Sequence, residues 1–150
     1  MTISSPDLTI RPPRSTRARL GGYALLPRML DKCRAEIIGK SGEYHFNCPL
    51  DQHILNFLGI DADALKTEVT TGKGDGEILA WITANQKHPR KPWEIQQWSD
   101  FQERRGPASD AESLQFFVDY VRGLTQTRED IITWCDLLDL DDHVTFGGKA

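Results

Sequence analysis

The chain has 150 residues and a mass of 17.0 kDa, with 39% hydrophobic and 27% charged residues. This composition is typical of a globular protein and excludes disordered, collagen-like and low-complexity chains. The length predicts a single domain with one sizeable core. The formal charge of −4 and the isoelectric point near 5.5 argue against nucleic-acid binding, because nucleic-acid-binding domains are usually basic.

The sequence lacks the features that would direct it to a membrane or a secretory route. No apolar run approaches the roughly 18 residues that a membrane span requires, and residues 1–10 lack the basic start and apolar centre of a secretion signal. The three cysteines, Cys33, Cys48 and Cys135, are widely spaced, which is typical of free thiols rather than of a disulfide framework. We therefore expect a cytoplasmic protein that does not associate with membranes.

Residues 1–20 contain three prolines and four arginines but few large apolar residues, which predicts an extended basic arm. A single helical domain is predicted over residues 21–146, followed by a short tail over residues 147–150. The net charge is +5 over residues 1–40 and −4 over residues 126–150. This asymmetry predicts docking of the arm onto the acidic end, either within one chain or between two copies in a homo-oligomer.

Helical patterns follow one another after the arm. Apolar residues at spacings of three and four predict a helix over residues 26–38, with Pro27 in its first turn and Gly39 after its end. Pro49 predicts the start of a second helix, which Gly59 ends. Asp61 is predicted to cap a third helix.

Similar patterns continue through the second half of the chain. Thr127 and Asp130 form a capping box that predicts the start of the last helix. The sequence has only four valines and almost no alternating pattern, so we predict an all-α domain of six to seven short helices. Asp75 is predicted to cap the fourth helix, Pro92 to open the fifth, and either Ser109 or Asp110 to start the sixth.

Several blocks of the sequence resemble one bacterial family, the domain of unknown function 5069. The blocks are residues 20–23 (LGGY), 26–35 (LPRMLDKCRA), 42–44 (GEY), 47–52 (NCPLDQ), 57–61 (FLGID) and 78–82 (ILAWI), with a weaker continuation at residue 134 and residues 136–139. The resemblance covers most of residues 15–140 and implies a single domain. It implies no reaction, because the activity of the family is not established.

The stretch from Glu43 to His53 contains the strongest candidate for chemistry. If Pro49 begins a helix, Cys48 lies at the helix N-terminus, where unpaired backbone N–H groups stabilise a thiolate. His45 lies three residues away and is a candidate general base. The alternative is that Cys48 is an inert, buried residue, because free cysteines are among the most buried residue types. The nearby Asn47 and Gln52 are candidates for orienting a ligand.

The same stretch has one further interpretation, as a metal site. His45, Cys48 and His53 are zinc-ligand types, but their spacing lacks the paired pattern that marks zinc sites. We therefore predict no metal and no cofactor.

A second candidate cluster is charged. Arg28, Asp31 and Arg34 lie at positions i, i+3 and i+6 of the first helix, so Asp31 is predicted to pair with one of the two arginines. Together with Glu43, Tyr44, Cys48 and Asp51 they predict a pocket for a small polar or anionic ligand. The alternative is an ordinary surface ion pair, which contributes under about 1 kcal/mol.

Three functions remain open on the sequence alone. The first is a non-catalytic module that binds a small molecule or a protein through residues 28–34 and 43–53. The second is a small enzyme that uses Cys48 as its nucleophile. The third is a structural protein that forms oligomers through its basic arm and its acidic end.

Overall fold

A computed structural model describes residues 2–150 and confirms the predicted α-helical class. Over these residues the chain forms seven helices and one pair of two-residue strands. The elements are β1 (Arg19–Leu20), β2 (Tyr23–Ala24), α1 (Leu26–Ile37), α2 (Pro49–Leu58), α3 (Ala62–Val69), α4 (Asp75–Asn85), α5 (Pro92–Arg104), α6 (Ala111–Leu124) and α7 (Trp134–Thr145).

Several helices begin at the residues that the sequence predicts. Pro49 is the first residue of α2, where its missing N–H costs nothing because first-turn N–H groups lack a helical partner. Asp61 caps α3 by accepting a hydrogen bond from the backbone N–H of Ala64 at 2.9 Å. Asp110 caps α6 in the same way, with the N–H of Ser113 at 2.8 Å.

Two predicted helix starts are wrong. Asp75 is the first residue of α4 rather than its cap, because its carboxylate binds arginine side chains instead. The last helix begins at Trp134 and not after Thr127. The capping box that forms is Thr133 with Asp136, three residues apart as in the predicted one. It prevails because the helix that follows it buries Leu137 and Leu140 in the apolar cluster shared with α6, and Cys135 against Gln102 of α5.

The main core lies under α1, whose ten residues from Leu26 to Ala35 are all buried. Its apolar residues pack against buried side chains of the next three helices, so α1 is the central element. The buried members include Leu26, Met29, Leu30 and Cys33 of α1, Ile54, Leu55 and Leu58 of α2, Leu65 and Val69 of α3, and Ile78 and Ile82 of α4.

A second, smaller core joins α6 to α7. It contains Phe117 of α6, Ile131 of the loop between α6 and α7, and Leu137 and Leu140 of α7. The two apolar clusters do not share a buried residue within residues 2–150. The helices around the smaller cluster are therefore joined to the main body largely by other contacts.

The N-terminal segment supplies many of those contacts. Leu8 is buried, and its N–H donates to the carbonyl of Lys40 at 2.9 Å. Farther along, Arg17 binds Asp136 and Asp139 of α7 in the same chain. β1 and β2 then form an antiparallel pair around Gly21 and Gly22, whose φ angles of 59° and 84° make the tight turn. The segment thus ties α7 to the main body.

Candidate functional site

A cavity of about 750 Å³ lies between the main body and the α6–α7 pair. One side is formed by α1, the segment before α2 and the first turns of α2, and the opposite side by α6 and α7. Its apolar lining consists of Pro49, Leu50, Phe116, Trp134, Leu137 and Leu138. Its polar lining consists of Arg28, Lys32, Glu43, Tyr44, His45, Cys48, His53, Arg105, Tyr120, Asp141 and Thr145.

A buried ion pair between α1 and α7 forms one part of the cavity floor. Arg28 donates two hydrogen bonds to Asp142, at 2.8 and 3.2 Å, and the two side chains are 4% and 9% exposed. The Tyr44 hydroxyl donates to the same carboxylate at 2.7 Å. Burial, with this hydrogen bond, raises the pKa of Tyr44. The hydroxyl therefore stays protonated and fixes Asp142 in place.

A second buried ion pair joins α1 to the N-terminus of α2. The Lys32 ammonium lies 2.8 Å from Asp51, and both side chains are at most 4% exposed. Burial raises the pKa of Asp51 above the ordinary carboxyl value, although Lys32 and the backbone N–H of Asn47 act to lower it. The same ammonium donates to the sulfur of Cys48 at 3.2 Å. Lys32 therefore connects a buried carboxylate to the thiol at the cavity surface.

Cys48 occupies the position that the sequence predicts for it. It is the N-terminal cap residue of α2, it is half-buried, and its side chain lines the cavity. His45 and Glu43 line the same cavity from exposed positions. The polar partner of the Cys48 sulfur is Lys32, however, and not His45.

The α6–α7 side of the cavity is aromatic. Phe116 and Tyr120 of α6 meet edge to face, with 6.0 Å between ring centroids. Phe116 also lies 6.3 Å from the ring of Trp134. The Tyr120 hydroxyl donates to Asp141 at 3.1 Å, and burial together with this acidic neighbour raises the pKa of Tyr120 to about 12. These rings form a wall for an apolar or planar group.

Arg105 is a lining residue that the sequence did not suggest. It follows α5, and its guanidinium lies 5.9 Å from the centroid of the Trp134 ring. The buried Nε atom of Arg105 has no hydrogen-bond partner within residues 2–150. Burial lowers the pKa of Arg105, and burial together with the charge of Arg105 lowers the pKa of His53. The guanidinium of Arg105 thus lies in the cavity lining without forming an ion pair in the described part of the chain.

The predicted charged cluster on α1 is divided between two sides of the helix. Arg28 lines the cavity, whereas Asp31 and Arg34 lie at a different surface. Asp31 pairs with Arg14 at 2.9 Å, so the predicted pairing with an arginine of α1 is wrong. Arg34 pairs with Asp75 at 2.7 Å. Residues of the N-terminal segment and of α4 satisfy these charges because they pack directly on α1.

The remaining predicted residues lie beside the cavity and not in its lining. Asn47 has a positive φ of 60°, a conformation that asparagine tolerates better than most residues. Its backbone N–H donates to Asp51 at 3.0 Å, and its side-chain oxygen accepts from Gln52. Asn47, Asp51 and Gln52 therefore shape the turn that presents Cys48. The structure brings Arg28, Glu43, Tyr44 and Cys48 together at the cavity itself.

Two further properties of the described residues bear on function. Over residues 2–150 there is no group of three or more His, Cys, Asp and Glu side chains that could hold a metal ion. None of the helices in that part of the chain has the length and apolar character needed to cross a bilayer.

Comparison with known proteins identifies a family without an assigned activity. No curated protein matches the chain. The model of one family, described as Domain of unknown function (DUF5069), matches residues 10–144, which include every residue that lines the cavity except Thr145. The chain therefore belongs to the DUF5069 family.

Proposed function

We propose that this protein is a non-catalytic binding protein whose cavity takes a small organic molecule. The observation that carries the proposal is the cavity between the two apolar clusters, at about 750 Å³ within the usual range for small-molecule sites. Its lining combines an aromatic and aliphatic wall with polar groups, and two of these, Arg28 and Lys32, are fixed by buried ion pairs, as the orienting groups of a ligand pocket are.

The polar floor supports this proposal because its charges are already paired inside the protein. Arg28 is held by Asp142, and Lys32 is held by Asp51. These pairs fix the distances between α1, α2 and α7 before any ligand binds. A preformed pocket binds more tightly than one that must first be ordered, since less conformational entropy is lost on binding.

The proposal is tested with N-phenylnaphthylamine, a neutral aromatic dye that becomes fluorescent in apolar sites. We expect saturable binding to the folded protein with a stoichiometry of about one, since one cavity of this size accommodates one such molecule. Leu138→Trp, which places a larger side chain in the cavity lining, is expected to weaken binding about tenfold or more.

The matched control is Leu114→Trp. Leu114 is an exposed residue of α6 outside the cavity lining, so this variant adds the same indole without filling the pocket. It is expected to bind the dye like the unmodified protein. Absence of saturable binding, or equal weakening by both variants, would contradict the proposed function.

A second function is supported by a specific contact, the 3.2 Å hydrogen bond from Lys32 to the Cys48 sulfur. The Lys32 ammonium and the N-terminus of α2 both lie at the sulfur, an arrangement that is found around reactive cysteines. Cys48 also faces a cavity that could hold a substrate. We therefore keep a small enzyme with a Cys48 nucleophile as the alternative.

Iodoacetamide distinguishes the alternative from an inert thiol. In this reaction the sulfur–carbon bond forms as iodide leaves, so the rate follows the reactivity of the thiolate. As an enzyme nucleophile, Cys48 is expected to react faster in the folded protein than in the same chain unfolded in urea. A folded rate equal to or below the unfolded rate would exclude it. Cys33 and Cys135 serve as internal controls because both are buried.

Self-association and localisation remain proposals as well. Because Arg17 binds Asp136 and Asp139 within one chain, an oligomer built on these contacts would have to exchange the N-terminal segment between copies. Sedimentation velocity at low and high salt tests this, and a monomer under both conditions would contradict it. The three free cysteines support a reducing compartment such as the cytoplasm.

A further inference from the structure

We propose that the ligand of the cavity is an organic anion with a planar, apolar body, and that Arg105 binds its anionic oxygen group. This inference rests on the proposed function and specifies its ligand class. Carboxylates, sulfonates and phosphate monoesters share the required chemistry, because each presents two oxygens to the fork of N–H donors on a guanidinium.

The position of Arg105 is fixed by its backbone. Its carbonyl accepts a hydrogen bond from the N–H of Trp134 at 3.0 Å, which joins the end of α5 to the start of α7. The side chain lines the cavity with its guanidinium near the Trp134 ring. The arginine is therefore presented to the cavity and does not extend freely into solvent.

Arg105 differs from the other arginines that contribute to the interior. Arg28 and Arg34 bind carboxylates at 2.8 and 2.7 Å. In contrast, none of the ion pairs in residues 2–150 includes Arg105, and its buried Nε atom is unpaired there. A buried donor without a partner is unfavourable, since it has lost its water without gaining a hydrogen bond. A ligand anion in the cavity would instead pair with the charge of the guanidinium, which has no carboxylate partner within residues 2–150.

Arg105 is the one cationic lining residue that forms no ion pair with a carboxylate in the described part of the chain. Lys32 and Arg28 are neutralised by their own buried carboxylates. The acidic lining residues are Asp141, which accepts the hydroxyl of Tyr120, and the exposed Glu43, and neither forms an ion pair with Arg105. The guanidinium of Arg105 is therefore the cationic group of the lining that remains available to pair with a ligand anion.

The surroundings of Arg105 indicate the shape of the rest of the ligand. The aromatic wall of Phe116, Tyr120 and Trp134 lies in the same cavity as the guanidinium. Aromatic faces at this position favour a planar apolar group, which stacks on them or meets them edge to face. An anion bound by Arg105 would thus extend its body along this wall.

Two dyes with the same skeleton test the inference. Anilinonaphthalene sulfonate is N-phenylnaphthylamine with an added sulfonate. We expect the sulfonate to make the anionic dye bind about tenfold tighter than the neutral one, as a charge-assisted hydrogen bond does. Arg105→Gln should abolish this preference and leave the affinity for the neutral dye within about twofold. Arg105→Lys should retain part of the preference because the charge remains.

The control is Arg104→Gln, which removes an exposed arginine next in sequence that does not line the cavity. It is expected to retain the full preference for the anionic dye. A second measurement uses the unmodified protein. Binding of the anionic dye should raise the pKa of His53, measured by NMR, whereas binding of the neutral dye should not. The reason is that a bound anion offsets the charge of Arg105, which lowers the pKa of His53.

The outcomes separate this inference from the proposed function. If the neutral dye binds in the cavity but the anionic dye is not preferred, or if Arg104→Gln and Arg105→Gln have equal effects, the anion site is refuted and the pocket stands. If neither dye binds, the proposed function fails and the inference fails with it. If Arg105→Gln alone loses the preference, the anion site is supported.

Discussion

The buried ion pair between Arg28 and Asp142 allows a quantitative prediction about how the cavity floor is held. Asp142→Ala removes a carboxylate that accepts two hydrogen bonds from Arg28 and one from Tyr44. After the substitution the Arg28 guanidinium, only 4% exposed, keeps one neutral acceptor, the carbonyl of Arg14 at 3.2 Å. The variant thus leaves a buried charge without a counter-charge.

The expected loss follows from that uncompensated charge. Removing one member of a buried ion pair typically costs about 3–5 kcal/mol, because the remaining charge has lost both its water and its partner. Such a loss is a large part of the 5–15 kcal/mol that is typical of the free energy of unfolding of a domain. Asp142→Asn keeps an oxygen for the Tyr44 hydroxyl, so its expected loss is smaller, about 2 kcal/mol.

Urea unfolding followed by circular dichroism measures these losses. With a urea dependence of about 2 kcal/mol per molar, Asp142→Ala should lower the unfolding midpoint by about 2 M. The double variant Arg28→Met with Asp142→Leu is the control, since it replaces the pair by apolar side chains. It should recover most of the stability, because paired buried charges contribute little beyond a well-packed apolar pair.

A small effect of the single variant would contradict an uncompensated charge on Arg28. If Asp142→Ala lowers the free energy of unfolding by less than about 1 kcal/mol, the charge of Arg28 must be hydrated in the folded protein. If the double variant is as unstable as Asp142→Ala, the loss arises from packing around α7 and not from the uncompensated charge.

Two further predictions concern acid stability and a backbone constraint. Burial acts to raise the pKa of Asp136, but hydrogen bonds from Arg17 and from backbone N–H groups outweigh it and lower the pKa. The resulting stabilisation is complete above about pH 4 and is lost as the pH falls through the lowered pKa. Asp136→Asn should therefore reduce the fall in melting temperature between about pH 4 and pH 2. An unchanged dependence of the melting temperature on pH in this range would contradict the prediction. Gly42→Ala should destabilise by about 2–3 kcal/mol in urea unfolding, because φ is 56° and the added Cβ would lie 2.8 Å from the carbonyl oxygen of Leu8. Gly39→Ala has φ of 71° but an open surrounding and should cost only about 1 kcal/mol; equal losses would exclude the clash.

The elements that depend on local sequence could be predicted, and those that depend on competition between similar signals could not. Pro49, Asp61 and Asp110 mark helix starts because their backbone and side-chain chemistry acts within one turn. Thr127 with Asp130 and Thr133 with Asp136 are equivalent as capping boxes. Only the burial of the following apolar face in the second core selects the latter.

The candidate site divides in the same way. The position of Cys48 at the start of α2 follows from its neighbour Pro49, so sequence alone was sufficient to predict it. The partner of Cys48 is Lys32, from a helix earlier in the chain, and its identity depends on how α1 packs against α2. Arg105 had no local signal, since a single arginine after a helix is ordinary. Its position in the cavity lining, near the Trp134 ring, results from the packing of α5 against α7, which the local sequence does not reveal.

The cavity itself follows from how the two apolar clusters are joined. The α6–α7 pair forms its own core, and α7 is held to the main body by charged side chains such as Arg17 with Asp136, and Arg28 with Asp142. These contacts are polar, so they join α7 to the main body without bringing the two apolar clusters together. A ligand whose body contacts both sides would add the missing apolar contact between the clusters. Binding should then stabilise α6 and α7 relative to the main body, because a ligand that prefers the assembled state shifts the folding equilibrium toward it.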